Sequence, residues 1–240
     1  MISRLRNIFR RHMFFPGLIG LFVNPFYFAR KGLCDAISEL APTISGQLLD
    51  VGCGSKPYRS LFAVEAYIGL DIDSEMTRKR GIADYLYDGS VFPFADDSFD
   101  AVLCNQVLEH VFNPDEFLAE ISRVLKPGGK LLLTVPFVWD EHEQPYDYAR
   151  YSSFGLRALL EKQGLRILQH KKLGADASIL FQLANAYLFK ITQKLPKPFK
   201  LLLTASVMAL INVSGVLASR LLPNNLDLYL DHVVLAEKNS

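Results

Sequence analysis

The strongest constraint on the fold lies between Gln47 and Pro136, where short apolar runs alternate with helical and turn-forming segments. "QLLDVG", "YIGLDI", "ADYLYD", "DAVLCN" and "KLLLTVP" each read as a buried strand. Between the last two, "NPDEFLAEISRVLKPGG" reads as a helix. Asn113 caps it, Pro114 takes the first turn, acidic residues follow, and Lys126-Pro127-Gly128-Gly129 ends it. Phe117, Leu118, Ile121, Val124 and Leu125 recur at helical spacing, as they would on a face packed against a sheet. Such alternation predicts an α/β fold with a doubly wound, mostly parallel sheet covered on both faces.

A further helix, "SSFGLRALLEKQG", has Ser152 or Ser153 as its cap and Gly164 just past its end. Strand-like "LRILQHKKLG" follows, and "LDLYLDHVVLAEK" closes the chain. Between these two, Ala175 to Pro223 differs in composition and reads as two helical stretches separated by "LPKPFK". The chain therefore divides into 1–44, a basic and apolar helical segment; 45–174, the core; 175–223, a helical insertion; and 224–240, the last strand of the core. A net charge of +1 gives no broad electrostatic case for nucleic acid. Cys34, Cys53 and Cys104 are odd in number and have no metal-like spacing, so a reduced, cytoplasmic setting is expected.

In an open parallel sheet, ligands sit outside the carboxyl ends of the strands. "LLDVGCG" places Gly52 and Gly54 at such an end, where glycine lets the chain pass close to a ligand. Pro57 stands where a dinucleotide fingerprint would have its third glycine, which disfavours a pyrophosphate cradle. Asp71 ends the second strand, placed to accept both hydroxyls of a ribose. Asp88, before Gly89 and Ser90, ends the third and could accept from an adenine amino group. Each aspartate alone is an ordinary turn residue. Together, on successive strand ends, they describe a pocket for an adenosine without phosphates.

Here the sequence resembles the class I S-adenosylmethionine-dependent methyltransferases of the small-molecule, type 11-like kind. "LLDVGCG" is similar to that family's first motif and "GLDID" to its second. "DGSVFPFADDSFDAVLCNQVLEHV" and "NPDEFLAEISRVLKPGGKLLLTVP" resemble the later strands and the helix between them. The resemblance runs from about Ser45 to Gly174. It implies a seven-stranded, Rossmann-like sheet with the helical hairpin inserted before the last strand, and S-adenosyl-L-methionine as cofactor. It also implies that Asp50, Gly52 and Gly54 surround the methionine part, that Asp71 holds the ribose, and that Ile72 flanks the adenine with Asp88 and Gly89 at its edge. Asn105 and Gln106 would face the sulfonium. "GCGSKPY" and "EHEQPYDYARYSSFGL" further resemble a narrower group associated with bacterial surface-polysaccharide biosynthesis.

For a hydroxyl or amine acceptor, a base must remove a proton. His110 and His142 follow the fourth and fifth strands, and histidine titrates near neutrality. Around His142, Trp139, Tyr146, Tyr148 and Tyr151 offer flat faces for a substrate, and Arg150 a cationic fork. Asp140, His142 and Glu143 match no standard metal spacing, so no metal is expected.

The expected activity is O-methylation of a small or lipid-linked molecule such as a glycan precursor. C-methylation of a quinone-like or lipid acceptor stays open, as does a non-catalytic cofactor-binding protein that assembles at a membrane. Arg4, Arg6, Arg10 and Arg11 beside Ile8, Phe9, Phe14 and Phe15 suit either an anionic membrane surface or a helix capping the domain. "LLLTASVMALINVSGVLAS" lacks charge over about nineteen residues, the lower edge of a span. The strands on either side belong to one sheet, and Gln182, Asn185, Lys190, Gln193 and Lys194 lie in the preceding helix, which argues against crossing. A hairpin with Lys194, Lys197 and Lys200 at its tip is expected instead. It would contact the inner face of a membrane, form a homodimer, or act as a lid.

Overall fold

Apolar runs become strands here because neighbouring strands pair with them, and burial is most complete in the middle of the sheet. In the computed structural model, which describes residues 12–239, seven strands form one sheet: β1 Gln47–Val51, β2 Ala66–Ile72, β3 Tyr85–Tyr87, β4 Phe99–Asn105, β5 Leu125–Pro136, β6 Leu165–Leu173 and β7 Asp231–Lys238. Their order is β3-β2-β1-β4-β5-β7-β6. The pairs β1–β2, β2–β3, β1–β4 and β4–β5 are parallel. The order reverses between β1 and β4, the kind of switch point at which open α/β sheets bind ligands.

The helices are α1 Gly20–Val23, α2 Tyr27–Leu40, α3 Glu75–Arg80, α4 Pro114–Val124, α5 Ser153–Lys162 and α6 Ser178–Ile191. The last, α7, runs from Lys197 to Leu221 and contains a π-helical turn at Thr204–Met208. Two compact units result. One comprises residues 12–36, 138–140 and 172–231. The other comprises 37–137, 141–171 and 232–239, and holds most of the sheet. The calls on Arg4, Arg6, Ile8, Phe9, Arg10 and Arg11 lie outside the described residues.

In the sheet-bearing unit, α4 buries Phe117, Leu118, Ile121 and Val124 with Leu49, Val51, Val102 and Leu133 of the strands. Two details differ from the sequence reading. The helix ends at Val124, and Leu125 is already extended, because it pairs with Phe99 of β4. Asn113 occupies the cap position, but its amide donates to Glu116 Oε2 at 3.2 Å and its side chain makes no capping bond. Ser152, by contrast, accepts from Gly155 N–H and caps α5.

Beneath the glycine turn, Lys56 crosses Gly69 of β2 to pair with Asp84 at 2.5 Å. A Cβ on Gly69 would lie 2.3 Å from Lys56 Cε and 2.8 Å from Cys53 Sγ. Lys56 itself sits at φ 50°, a costly conformation for a side-chain-bearing residue. The ion pair and the Lys56 N–H to Cys53 carbonyl bond at 2.7 Å hold it there. Gly69→Ala is expected to lower unfolding stability by about 1–3 kcal/mol, the range for overpacking a filled site. Chemical denaturation checks this, and an unchanged midpoint refutes the crossing.

Candidate functional site

At the carboxyl end of β1 the chain turns through Gly52, at φ +67°, where a Cβ would lie 2.4 Å from Val107 Cγ2. Only glycine fits between that backbone and Val107. The turn is anchored to β2: Asp71, nearly buried, accepts Gly54 N–H on Oδ2 at 3.0 Å and Ile72 N–H on Oδ1 at 2.9 Å. A carboxylate oxygen accepts more than one hydrogen bond, so each keeps capacity for a hydroxyl. Ile72 leaves its side chain half exposed, and a Cβ on Gly89 would lie 3.5 Å from Ile72 Cδ1. Asp88 closes a turn by accepting from Ser90 N–H at 2.9 Å and from the Ser90 hydroxyl.

Asp50, in β1, is buried and accepts from Tyr67 Oη at 2.6 Å. Burial pushes its carboxyl up to about 7, against the pull of the Tyr67 hydrogen bond and the Lys56 ammonium, while the Asp71 charge adds to the rise. Burial likewise raises the Cys53 thiol to about 12. Asn105 and Gln106 are fixed from β5: Thr134, fully buried, donates its hydroxyl to Asn105 Oδ1 at 2.9 Å. Gln106, at φ 56°, donates its N–H to the Thr134 carbonyl at 3.0 Å.

Val107, packed on Gly52, leads directly into a short turn, Leu108–His110. This sets Glu109 and His110 beside the glycine turn. The loop after β5 returns to the same place: Tyr148 N–H donates to the Glu109 carbonyl at 2.8 Å, and His110 Nδ1 lies 2.7 Å from the Tyr146 carbonyl. The His110 and His142 rings meet edge to face with centroids 4.7 Å apart. Behind His142, Asp147 takes its backbone N–H at 2.9 Å and lies 3.3 Å from Nδ1. Arg150 grips both oxygens of Asp147, at 2.6 and 2.8 Å, and the guanidinium holds that carboxyl down at about 2.

The structure thus brings His110 and His142 together, with Tyr146, Tyr148, Arg150 and Tyr151 on the same loop. Arg150 spends its fork on Asp147 rather than presenting it outward. Tyr146 and Tyr148 are exposed, and Tyr148 stacks edge-on with Phe112 at 5.3 Å. Trp139 belongs to the other unit, where it packs against Phe26. Sequence reasoning missed Glu109, Asp147, Thr134, Tyr67 and the Lys56–Asp84 pair. Only Glu109 carried a local signal, as the neighbour of His110.

Residues 49–133 match the family model described as a methyltransferase domain. This segment is similar to methyltransferase domains. An uncharacterized protein of Methanocaldococcus jannaschii is 39% identical over 108 residues, covering 44% of this chain and 51% of that protein. A demethylmenaquinone methyltransferase of Renibacterium salmoninarum is 38% identical over 112 residues, covering 43% of this chain and 46% of that one. The chain thus matches about half the length of these curated relatives. Among solved structures, an S-adenosylmethionine-dependent methyltransferase from Mesorhizobium loti superposes with a TM-score of 0.56 at 14% identity, covering 88% of this chain and all of that one. The shared architecture is the Rossmann-like methyltransferase fold.

The pH dependence follows from Asp50. Its folded-state pKa lies above the unfolded value near 4, so the folded chain holds the proton more tightly. That stabilisation is complete below about pH 4 and is lost as pH rises through about 7. Between pH 4 and 7 the protein should lose on the order of 4 kcal/mol relative to Asp50→Asn. Parallel urea melts of the two proteins measure this, and a constant difference across pH excludes a raised Asp50.

Proposed function

We propose that this chain transfers a methyl group from S-adenosyl-L-methionine to a hydroxyl of a small or lipid-linked molecule. The observation that carries the reading is the Asp71 carboxylate, held at the switch-point end of β2 by Gly54 and Ile72 N–H groups. The residues fit the cofactor: a turn stripped of side chains at Gly52 and Gly54, a carboxylate with acceptor capacity for two ribose hydroxyls, and the exposed Ile72 flank beside Gly89. Asp50, Gly52 and Gly54 would hold the amino-acid end, Asp71 the ribose, and Ile72, Asp88 and Gly89 the base. Asn105 and Gln106 line the approach to the acceptor.

When bound, the cofactor supplies an electrophilic methyl on a sulfonium sulfur. This chain's own residues must then orient the acceptor and receive its proton. His142 is the base in this reading, oriented by Asp147, with His110 beside it and Tyr146, Tyr148 and Tyr151 facing the acceptor. The demethylmenaquinone methyltransferase relative favours a second reading, C-methylation of a quinone-like ring, in which no hydroxyl proton is removed.

A peripheral membrane position on the cytoplasmic side belongs to the same proposal. It is supported by the unit that holds α6 and α7, which buries amides while leaving several large apolar side chains exposed. Gln182, Asn185 and Asn212 are buried, while Leu180, Tyr187, Leu202, Leu210 and Leu217 are exposed. The most apolar 18-residue stretch of Lys197–Leu221 has a mean hydropathy of 2.1, and among the described residues this is the one helix long and apolar enough to cross a membrane. Its outward leucines suit an interfacial contact for a lipid-linked acceptor.

Two measurements test these readings. Asp71→Ala should weaken S-adenosylhomocysteine binding by at least about thirtyfold, as expected when two hydrogen bonds to a charged group are lost. Calorimetry on variant protein with an intact melting transition decides it, and unchanged affinity rules out the assigned pocket. The full chain should co-sediment with anionic vesicles, and the triple variant Leu202→Glu, Leu210→Glu, Leu217→Glu should stay in the supernatant. Equal pelleting of both, or of neither, removes the membrane contact.

A further inference from the structure

We propose that Glu109, His110 and His142 form a binding site for a divalent first-row transition-metal cation. The donor atoms of these three residues all lie within 4.8 Å of one another. Glu109 Oε1 is 3.8 Å from His110 Nε2 and 4.0 Å from His142 Nε2. A zinc ion about 2.0–2.1 Å from each ligand needs them roughly 3.3 Å apart in a tetrahedral arrangement. To hold one, the cluster has to close by about 0.5 to 0.7 Å at Glu109 and by up to about 1.5 Å at its widest separation.

The second argument is the state of the two rings. His110 Nδ1 faces the Tyr146 carbonyl at 2.7 Å, and a carbonyl can only accept. A hydrogen must therefore sit on Nδ1, and Nε2 is the ring nitrogen turned toward Glu109. The His142 Nδ1 lies 3.3 Å from Asp147 Oδ2 and 3.5 Å from Arg150 Nη2, a donor, and its Nε2 likewise faces Glu109 Oε1. Imidazoles that ligate metals through one nitrogen commonly donate the other N–H to a carbonyl or a carboxylate. His110 does so, and both rings bring Nε2 to the same oxygen.

The third argument is burial. The Glu109 side chain is wholly buried, and a carboxylate taken out of water needs positive charge close by. A cation held between Glu109 and the imidazoles would add to the positive charge around it. The His110 and His142 side chains keep 18% and 30% of their surface exposed, so a ligand can reach the ion from solvent. Two nitrogens and one carboxylate favour zinc, manganese, iron or cobalt over magnesium and calcium, which prefer all-oxygen shells.

The consequence for chemistry rests on the methyltransferase reading above, whereas the site itself does not. With a cation bound, both Nε2 atoms are ligands, so His142 no longer acts as the base. An acceptor hydroxyl would form an oxygen–metal bond at an open position and release its proton to solvent at a lower pH than the free hydroxyl. The resulting oxyanion would be the methyl acceptor.

The test uses untagged, full-length protein stripped with a chelator and then titrated with Zn2+ and Mn2+ by calorimetry, with Mg2+ as control. One equivalent of Zn2+ or Mn2+ should bind, with Mg2+ at least tenfold weaker. Glu109→Gln and His142→Ala should each weaken binding by at least tenfold while retaining a cooperative melt. A cobalt-loaded sample should show an absorption band that both variants lose. Absence of binding overturns the proposal, as does binding that neither variant weakens. S-adenosylhomocysteine affinity, measured on the same samples, reports the cofactor pocket separately, so a failed metal site and a failed methyltransferase reading give different results.

Discussion

The carboxyl rim of the sheet depends on a single side chain, Asp71. Its two oxygens take one N–H from the turn after β1 and one from the end of β2, and so lock the turn to the neighbouring strand. The Gly52 and Cys53 N–H groups, which donate to the Leu70 carbonyl at 2.9 and 3.1 Å, secure the same turn from the backbone. Gly52, Gly54 and Lys56 all have positive φ, and for Lys56 that conformation costs on the order of 1–3 kcal/mol. Hydrogen bonds to a charged acceptor, at about 1.5–3 kcal/mol each, are of the size needed to offset it. The same carboxylate thus shapes the turn and faces the space the turn leaves, which couples the local fold to ligand binding.

The sheet is apolar along its length and polar at this rim, where polar groups are answered by neighbours on an adjacent strand or within their own loop. Asp50 is met by Tyr67, Asn105 by Thr134, and Asp147 by Arg150. Such pairing is obligatory, because an isolated polar group removed from water costs more than the bond it replaces. Asp50 shows how far one neighbour falls short: even with Tyr67 bonded and Lys56 nearby, burial holds its carboxyl near neutrality. Glu109 is more deeply buried than Asp50 and has two imidazoles beside it. The arrangement is suited to gathering positive charge.

Much of this was legible in the sequence because it depends on local chemistry. Seven strands, the start of α4, the Ser152 cap and the glycine turn follow from apolar runs, capping residues and backbone freedom, all read over a few neighbours. Leu125 was misassigned because its pairing with Phe99, some twenty-six residues away, outweighed the helical period it completes. The Lys56–Asp84 pair was invisible for the same reason, since only the folded sheet brings Gly69 beneath Lys56. His110 and His142 could be named from their places after strands, but that they meet could not. Their meeting depends on a loop that folds back and hands Tyr148 N–H to the Glu109 carbonyl. Arg150 looked like a substrate fork because its partner, Asp147, is identifiable only once the loop has closed.

The helical unit shows why hydropathy alone misreads α7. Its Asn212 is buried, donating to the Leu21 and Asn24 carbonyls at 2.9 and 3.0 Å. From α6, Asn185 donates to the Met208 carbonyl, and Gln182 accepts Phe28 and Ala29 N–H groups where α2 begins. These amides occupy interior positions because the chain around Pro25 breaks and restarts, leaving backbone groups that no helix satisfies. Interior space filled by amides is closed to leucine. The apolar surplus of α6 and α7 is therefore displaced to the outer surface, where Leu180, Leu202 and Leu210 each stay more than half exposed. A hydropathy average counts those leucines and does not record which way they face. The same residue count describes a helix crossing a bilayer and a helix whose inner face caps its neighbours, and Asn212 places this inner face against the Leu21 and Asn24 carbonyls.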